Sequence, residues 1–199
     1  MGEQSAMDLQ RAGIGMVKKY SGVAIALHWI VAVGIMVNLI LPYIWEAAGD
    51  ENVRPLINTH KSIGITVLGL ALMRLLWRLT HTPPALPASY KAWEVKASHA
   101  AHWALYALII ALPLTGWIMD SAWKDAAANP MQWFGLFQWP RIGPVMGLDE
   151  VTKKSVHDSF GEVHEILGYA MWALWALHVG AALKHQFMDG EKELQRMMP

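Results

Sequence analysis

The sequence predicts an all-α integral membrane protein, a bundle of four transmembrane helices. Of its 199 residues, 54% are hydrophobic and only 16% are charged, whereas about 25% of residues are charged in an ordinary soluble domain. The chain also has 11 tryptophans, a residue that is enriched at membrane–water interfaces. These features favour a chain that lies largely within a bilayer.

Four apolar segments are long enough to cross a hydrocarbon core, which takes about 20 helical residues. They are predicted at about 22–45, 56–79, 97–122 and 160–187, within a single membrane domain covering 1–199. Each segment contains histidine, and the second also contains Arg74. Because ionisable groups are costly inside a membrane, we expect the helices to pack together with these side chains inward.

The connections between the segments differ in length. The first is short and acidic, and the second, within 81–90, carries three prolines that break helices. The third, 123–158, is the longest. Its aromatic residues predict that it lies on the membrane surface rather than forming a second domain; they are Trp133, Phe134, Phe137 and Trp139.

Positive charge predicts the orientation of the bundle. With four spans, ten Lys and Arg residues fall on the side of the termini and six on the other side. This bias favours both termini in the cytoplasm and the long loop outside. Residues 1–20 are polar and of mixed charge, which predicts a retained first helix rather than a cleaved signal peptide.

Composition excludes several functions. A net charge of zero gives no basic field for nucleic acid. The absence of cysteine excludes disulfides, iron–sulfur clusters, thiolate-bound haem and covalently attached c-type haem. A redox cofactor would therefore be held non-covalently, and the nine histidines are its best candidate ligands.

Four histidines occur at two matched levels. His60 and His164 lie near the predicted outer ends of their helices, whereas His28 and His178 lie toward the inner side. His164 and His178 are fourteen residues apart, so they share a helix face and are separated by about 21 Å. Haem iron accepts two axial imidazoles from facing helices. The pattern predicts two b-type haems, with His28 and His178 on one iron and His60 and His164 on the other. For any one histidine, a helix–helix hydrogen bond is the ordinary alternative.

Small and basic residues accompany these histidines. Gly64 and Gly168 each follow a histidine by four residues, which leaves room on the same face for a flat ring, although ordinary small-residue packing explains either glycine equally well. Arg74 shares the face of His60 at the level of the inner pair. It is expected to pair with haem propionates, or else to reach the headgroups, as we expect for Arg78.

The remaining histidines have less defined roles. His99 and His102 begin the third segment and could contact propionates or a quinone headgroup, but solvation at the surface is an equal alternative. His185 is interpreted as a boundary residue and as the substitute ligand if His178 is not one. His81 and His157 are expected to be solvated in connections.

Motifs over nearly the whole chain resemble the prokaryotic cytochrome b561 family of four-helix di-haem proteins. They include Lys19-Tyr20-Ser21 before His28-Trp29, His60-Lys61-Ser62-Ile63-Gly64, the stretch 74–79, Leu112-Pro113-Leu114-Thr115-Gly116-Trp117, His164-Glu165 and the stretch 182–185. The resemblance implies axial ligation by His28, His60, His164 and His178. It also implies the bacterial inner membrane and, as a candidate activity, oxidation of superoxide outside with reduction of ubiquinone.

Charge on the outer side is mixed. A superoxide route would need positive charge near the outer pair, and Lys61, Arg54, Lys153 and Lys154 could steer an anion. Acidic residues such as Glu46 and Glu51 dilute this cluster, so solvated loop lysines are an equal interpretation.

Two other functions stay open. One is an electron-relay subunit that serves a partner dehydrogenase or a periplasmic cytochrome. The other, from a different class, is a haem-free metal or solute transporter, although the chain lacks the internal repeat expected of transporters.

Overall fold

The computed structural model describes residues 19–199 and shows the expected all-α architecture. The sequence-based expectations for residues 1–18 lie outside the described residues. In chain order the elements are α1 (Gly22–Trp45), α2 (Asp50–Thr80), α3 (Ala92–Ser121), β1 (Gln132–Trp133), β2 (Phe137–Gln138), α4 (Gly143–Met146), α5 (Glu150–Phe187) and α6 (Glu193–Met197). Within residues 19–199, four helices, α1, α2, α3 and α5, are long and apolar enough to cross a membrane.

Three of these helices begin earlier than the apolar segments predicted. Helix α2 begins at Asp50, α3 at Ala92 and α5 at Glu150, each in a polar stretch. At α5 the cause is Asp149, whose carboxylate accepts hydrogen bonds from the backbone N–H groups of Val151 and Thr152. Hydropathy identifies the turns that lipid would surround, whereas caps and polar turns extend the helices beyond them.

The helices pack into a bundle in which α1 lies along α2, α2 along α3, and α3 along α5. Its centre is a small apolar cluster contributed by all four helices: Val31, Val67, Ala71, Ile109 and Met171. Many large apolar side chains face outward, as expected for a lipid-facing surface. The chain end returns to the start of α1, where the Trp29 indole N–H donates to the Met197 carbonyl at 2.7 Å.

The long connection between α3 and α5 is ordered. It forms a β-hairpin in which Gln132 pairs with Gln138 and Trp133 with Phe137. The buried Asp120 carboxylate anchors its base by binding Lys61 at 2.5 Å and Arg141 at 2.9 Å. The aromatic composition of 123–158 did not reveal this hairpin.

Candidate functional site

The structure brings His60 of α2 together with His164 of α5, which we call the loop-side pair. Their ring centroids are 6.1 Å apart and the rings are inclined by 74°. Both side chains are partly buried, and His60 Nδ1 has no hydrogen-bond partner among the described residues. The loop-side pair is therefore two imidazoles from different helices facing each other inside the bundle.

A second pair lies nearer the chain termini and consists of His28 on α1 and His178 on α5, which we call the terminus-side pair. Their ring centroids are 6.3 Å apart, with 56° between the ring planes. His28 Nδ1 also has no partner among the described side chains and backbone groups. The two pairs share helix α5, on which the fourteen-residue spacing separates them along one face.

Both separations suit a shared metal ion. Imidazole–metal bonds of about 2 Å, each extended by about 1 Å to the ring centre, put two ring centres about 6 Å apart. The measured values are 6.1 and 6.3 Å. Within residues 19–199, no hydrogen bond joins the two rings of either pair, so the ordinary helix–helix hydrogen bond does not account for them.

Helix α3 contributes no histidine to the loop-side pair but builds a socket for His164. Its Nδ1 lies 2.9 Å from the Leu112 carbonyl oxygen and 3.1 Å from the Thr115 hydroxyl. A carbonyl only accepts, so Nδ1 carries the proton and Nε2 keeps its lone pair for a metal. A Cβ at Gly116 would lie 3.1 Å from His164 Cε1. The missing side chain therefore leaves space for the ring.

The loop-side pair opens into a cavity of about 380 Å³. Gly64 and Gly168 both line it, and a Cβ added at Gly168 would meet nothing within 4 Å. Asn38 donates from Nδ2 to the His60 carbonyl at 3.1 Å and also lines the cavity. A flat ligand could lie against the glycines, as their positions after the histidines suggested.

The mouth of this cavity is acidic. Glu46 and Glu165 line it and are exposed, together with Tyr43 and Tyr169. Lys61, which was expected to help steer an anion, is partly buried and bound to Asp120. The positive charge expected beside His60 is therefore balanced within the protein.

The terminus-side cavity is smaller, about 50 Å³, and its lining includes Arg74 and His102 in addition to the pair. The Arg74 guanidinium carbon lies 5.4 Å from the centre of the Tyr106 ring. No carboxylate of the described residues is within ion-pairing distance of Arg74. A buried guanidinium that lacks a protein anion suits an anionic group of a ligand.

The two cavities share one wall. Ile35, Ile109 and Met171 line both of them. Met171 lies midway between His164 and His178 on α5 and is 1% exposed. An apolar partition one side chain thick therefore separates the two histidine pairs and keeps water out of the path between them.

The other histidines have other environments. The His102 ring lies edge-on to His178, 5.4 Å away, and its Nδ1 contacts the Ser98 carbonyl at 2.6 Å, whereas His99 is exposed. His185 binds Asp189 and lies away from both pairs. Glu94 and Asp189, which together with His185 could in principle hold a metal, are both bound by Lys184.

Two of the remaining sequence expectations concern basic side chains in or near the connections. His157 is not solvated in a connection: it belongs to α5, is partly buried and contacts the Met119 carbonyl at 2.9 Å. His81 is exposed and stacks on Trp77. The Arg78 guanidinium carbon lies 5.9 Å from the Trp103 ring centre.

Sequence reasoning missed the residues that support the ligands. Asn38, Thr115 and Gly116 received no role, and His102 was left open. A weak signal existed, because the Pro, Thr and Gly of 112–117 interrupt an otherwise apolar helix. That signal marks an irregularity but does not identify the side chain of another helix that it serves.

Comparison with known proteins is consistent with this geometry. A family model described as prokaryotic cytochrome b561 matches residues 19–199. Cytochrome b561 homolog 2 of Escherichia coli (strain K12) is 29% identical over 186 residues, covering 91% of this chain and 92% of that protein. The probable superoxide oxidase CybB of Yersinia pestis is 28% identical over 191 residues, covering 92% and 98%. Cytochrome b561 homolog 1 of E. coli is 27% identical over 183 residues.

Proposed function

The chain belongs to the prokaryotic cytochrome b561 family of bacterial membrane electron-transfer proteins, and on that premise we propose that it binds two b-type haems through its two histidine pairs. The supporting observation is that both pairs face each other at the separation expected for a shared metal, 6.1 and 6.3 Å. In this proposal His60 and His164 hold one haem, and His28 and His178 hold the other.

A bound b-type haem supplies reversible one-electron oxidation and reduction of its iron. The chain's own residues orient and enclose it. The Leu112 carbonyl holds His164 in the tautomer that presents Nε2. Gly64 and Gly168 leave room for the macrocycle, and Arg74 binds propionate carboxylates. The apolar partition at Met171 excludes water between the two sites.

We further propose that the protein oxidises superoxide on the loop side and reduces ubiquinone, with both termini in the cytoplasm of a bacterium and the bundle in its inner membrane. Each superoxide would give up one electron and become dioxygen, so two would reduce one ubiquinone with uptake of two protons. The similarity to a protein named probable superoxide oxidase supports the donor. The excess of Lys and Arg on the side of the termini supports the orientation.

A second candidate is a relay that exchanges electrons with a partner protein on the loop side. The acidic mouth formed by Glu46 and Glu165 favours it, because exposed carboxylates attract a basic protein surface and repel superoxide. Purified protein that reduces ubiquinone with superoxide alone supports the first candidate. Reduction that needs an added basic redox protein supports the second.

The test of haem binding is the haem-to-protein ratio of the purified protein. We expect two haems with a low-spin spectrum, one haem after His28→Ala or His178→Ala, and the other one after His60→Ala or His164→Ala. His99→Ala is the matched control, because His99 is exposed and should leave both haems in place. A colourless protein would refute the proposal and revive the transporter, and an unchanged ratio would remove that histidine from the ligand set.

A further inference from the structure

The β-hairpin of residues 131–139 packs against one polar spot on the outward face of α2. The buried Ser62 hydroxyl contacts the Gln132 carbonyl at 3.1 Å and accepts the backbone N–H of Phe134 at 2.9 Å. The Trp133 indole N–H donates to the Thr66 hydroxyl at 3.0 Å. Ser62 and Thr66 are four residues apart and share a helix face.

The face covered by the hairpin continues toward the bundle centre as a lipid-facing surface. Gly69 and Met73 follow Ser62 and Thr66 on the same stripe, and both are exposed. The hairpin therefore covers the polar part of a stripe whose remainder is apolar and faces outward. Without it, two hydroxyl groups on this stripe would face the lipid.

The contact at Thr66 lies at membrane depth. Its neighbour Val67 packs against Gly34 of α1, where an added Cβ would be 2.7 Å from the valine. Gly34 is eleven residues, or about 16 Å, before the end of α1 at Trp45. A hydrocarbon core of about 30 Å is only slightly shorter than α1. The Trp133 side chain thus reaches well below the loop-side end of the helices.

The surface of the hairpin suits acyl chains. Phe134, Leu136 and Phe137 are 48%, 73% and 49% exposed, and no charged residue occurs between Asp125 and Arg141. Phe134 has a positive φ of 49°, a strained conformation for a bulky residue where Asn or Gly is usual. An aromatic ring at this turn position is explained by what it contacts outside the chain.

The backbone of the hairpin also meets the requirement for non-helical chain in a membrane, namely that its polar groups are paired. Besides the Phe134 N–H on Ser62, the Leu136 N–H bonds to the Trp133 carbonyl at 2.9 Å and the Trp139 N–H to the Met131 carbonyl at 2.8 Å. Little backbone remains that would need water.

From this geometry we infer that the 131–139 hairpin dips into the loop-side leaflet beside α2, with Phe134, Leu136 and Phe137 against lipid acyl chains. The long connection is then partly an interfacial membrane element rather than a soluble loop. The inference rests on the contacts with α2 and is independent of haem binding.

The test uses the cysteine-free sequence. Leu136→Cys is labelled with a nitroxide, and the haem-loaded protein is reconstituted in vesicles of phosphatidylcholine and phosphatidylglycerol. Power saturation then compares collisions with oxygen, which concentrates among acyl chains, and with a water-soluble nickel chelate. Val33→Cys on the outward face of α1 and Val151→Cys at the start of α5 serve as lipid and water references, being 59% and 81% exposed.

We expect an oxygen-to-chelate ratio at position 136 close to that at position 33 and several-fold above that at position 151. A ratio like that at position 151 would place the hairpin in water and overturn the inference. Low accessibility to both probes would also overturn it, because protein would then cover the hairpin. Phe137→Cys repeats the measurement if the first variant loses its native haem content.

Discussion

Substitution of Gly116 by alanine tests whether helix α3 positions His164. The new Cβ would lie 3.1 Å from His164 Cε1 and 3.3 Å from its Nδ1, closer than ordinary van der Waals contact. The contact is with a ring held by the Leu112 carbonyl, so the imidazole must turn and weaken that hydrogen bond. Overpacking of this kind typically costs about 1–3 kcal/mol.

If that cost falls on the haem-bound state, affinity at the loop-side pair drops by about 5- to 150-fold, since 1.4 kcal/mol corresponds to a tenfold change. The assay is transfer of haem from the purified protein to excess apomyoglobin. One of the two haems should leave Gly116→Ala faster than it leaves the unaltered protein, while the other leaves at the original rate.

Gly69→Ala is the control, because an added Cβ there meets nothing within 4 Å. The reasoning fails if Gly116→Ala keeps both haems as long as the unaltered protein does, with the same low-spin spectrum. Loss of both haems at equal rates would likewise refute a local effect on His164.

Three further changes test the surrounding structure. Asp120→Asn should lower stability by about 3–5 kcal/mol, measured by thermal unfolding in detergent, because it leaves two buried cations without their anion. Arg74→Gln should lower the haem-to-protein ratio toward one, since it removes the guanidinium proposed to bind propionates. Asp149→Asn should flatten the fall of the melting temperature below pH 5. Hydrogen bonds from Thr152 and the backbone hold the pKa of Asp149 below its usual value. Its contribution is therefore present above the unfolded pKa of about 3.9 and is lost as the pH falls through the folded pKa.

Each change has a matched comparison. Asp125→Asn removes an exposed carboxylate and should leave the melting temperature unchanged, whereas an equal fall in both variants would contradict the role of the buried ion pairs. Arg74→Lys keeps the charge and should retain more haem than the glutamine variant. A melting temperature that still falls with pH as steeply after Asp149→Asn would assign the acid sensitivity to other carboxylates.

The levels of the histidines could be predicted from the sequence because helix geometry converts spacing into depth. The fourteen residues between His164 and His178 determine a common face and a separation, and the ends of the apolar segments place His28 and His60 at matching levels. The inward direction of these side chains followed from the cost of ionisable groups in lipid. What this reasoning could not supply was the contact between rings, which depends on how each helix is rotated.

The surroundings of the ligands illustrate the limit. Lys61 follows His60 directly and was interpreted as a steering charge, but Asp120, 59 residues later, binds it. His102 was left without a partner because nothing in its own helix shows that it meets His178. Both outcomes depend on contacts between helices, which a one-dimensional pattern does not contain.

The sequence by itself determined that this is a membrane bundle of four spanning helices and at which levels its histidines lie, because apolar length and helical period are local properties of the chain. The tertiary structure alone decided that α3 holds the His164 ring, that Asp120 neutralises two cations and that the hairpin lies along α2. Those features arise from side chains far apart in sequence, and they form only when packing brings the helices together at one rotation and depth.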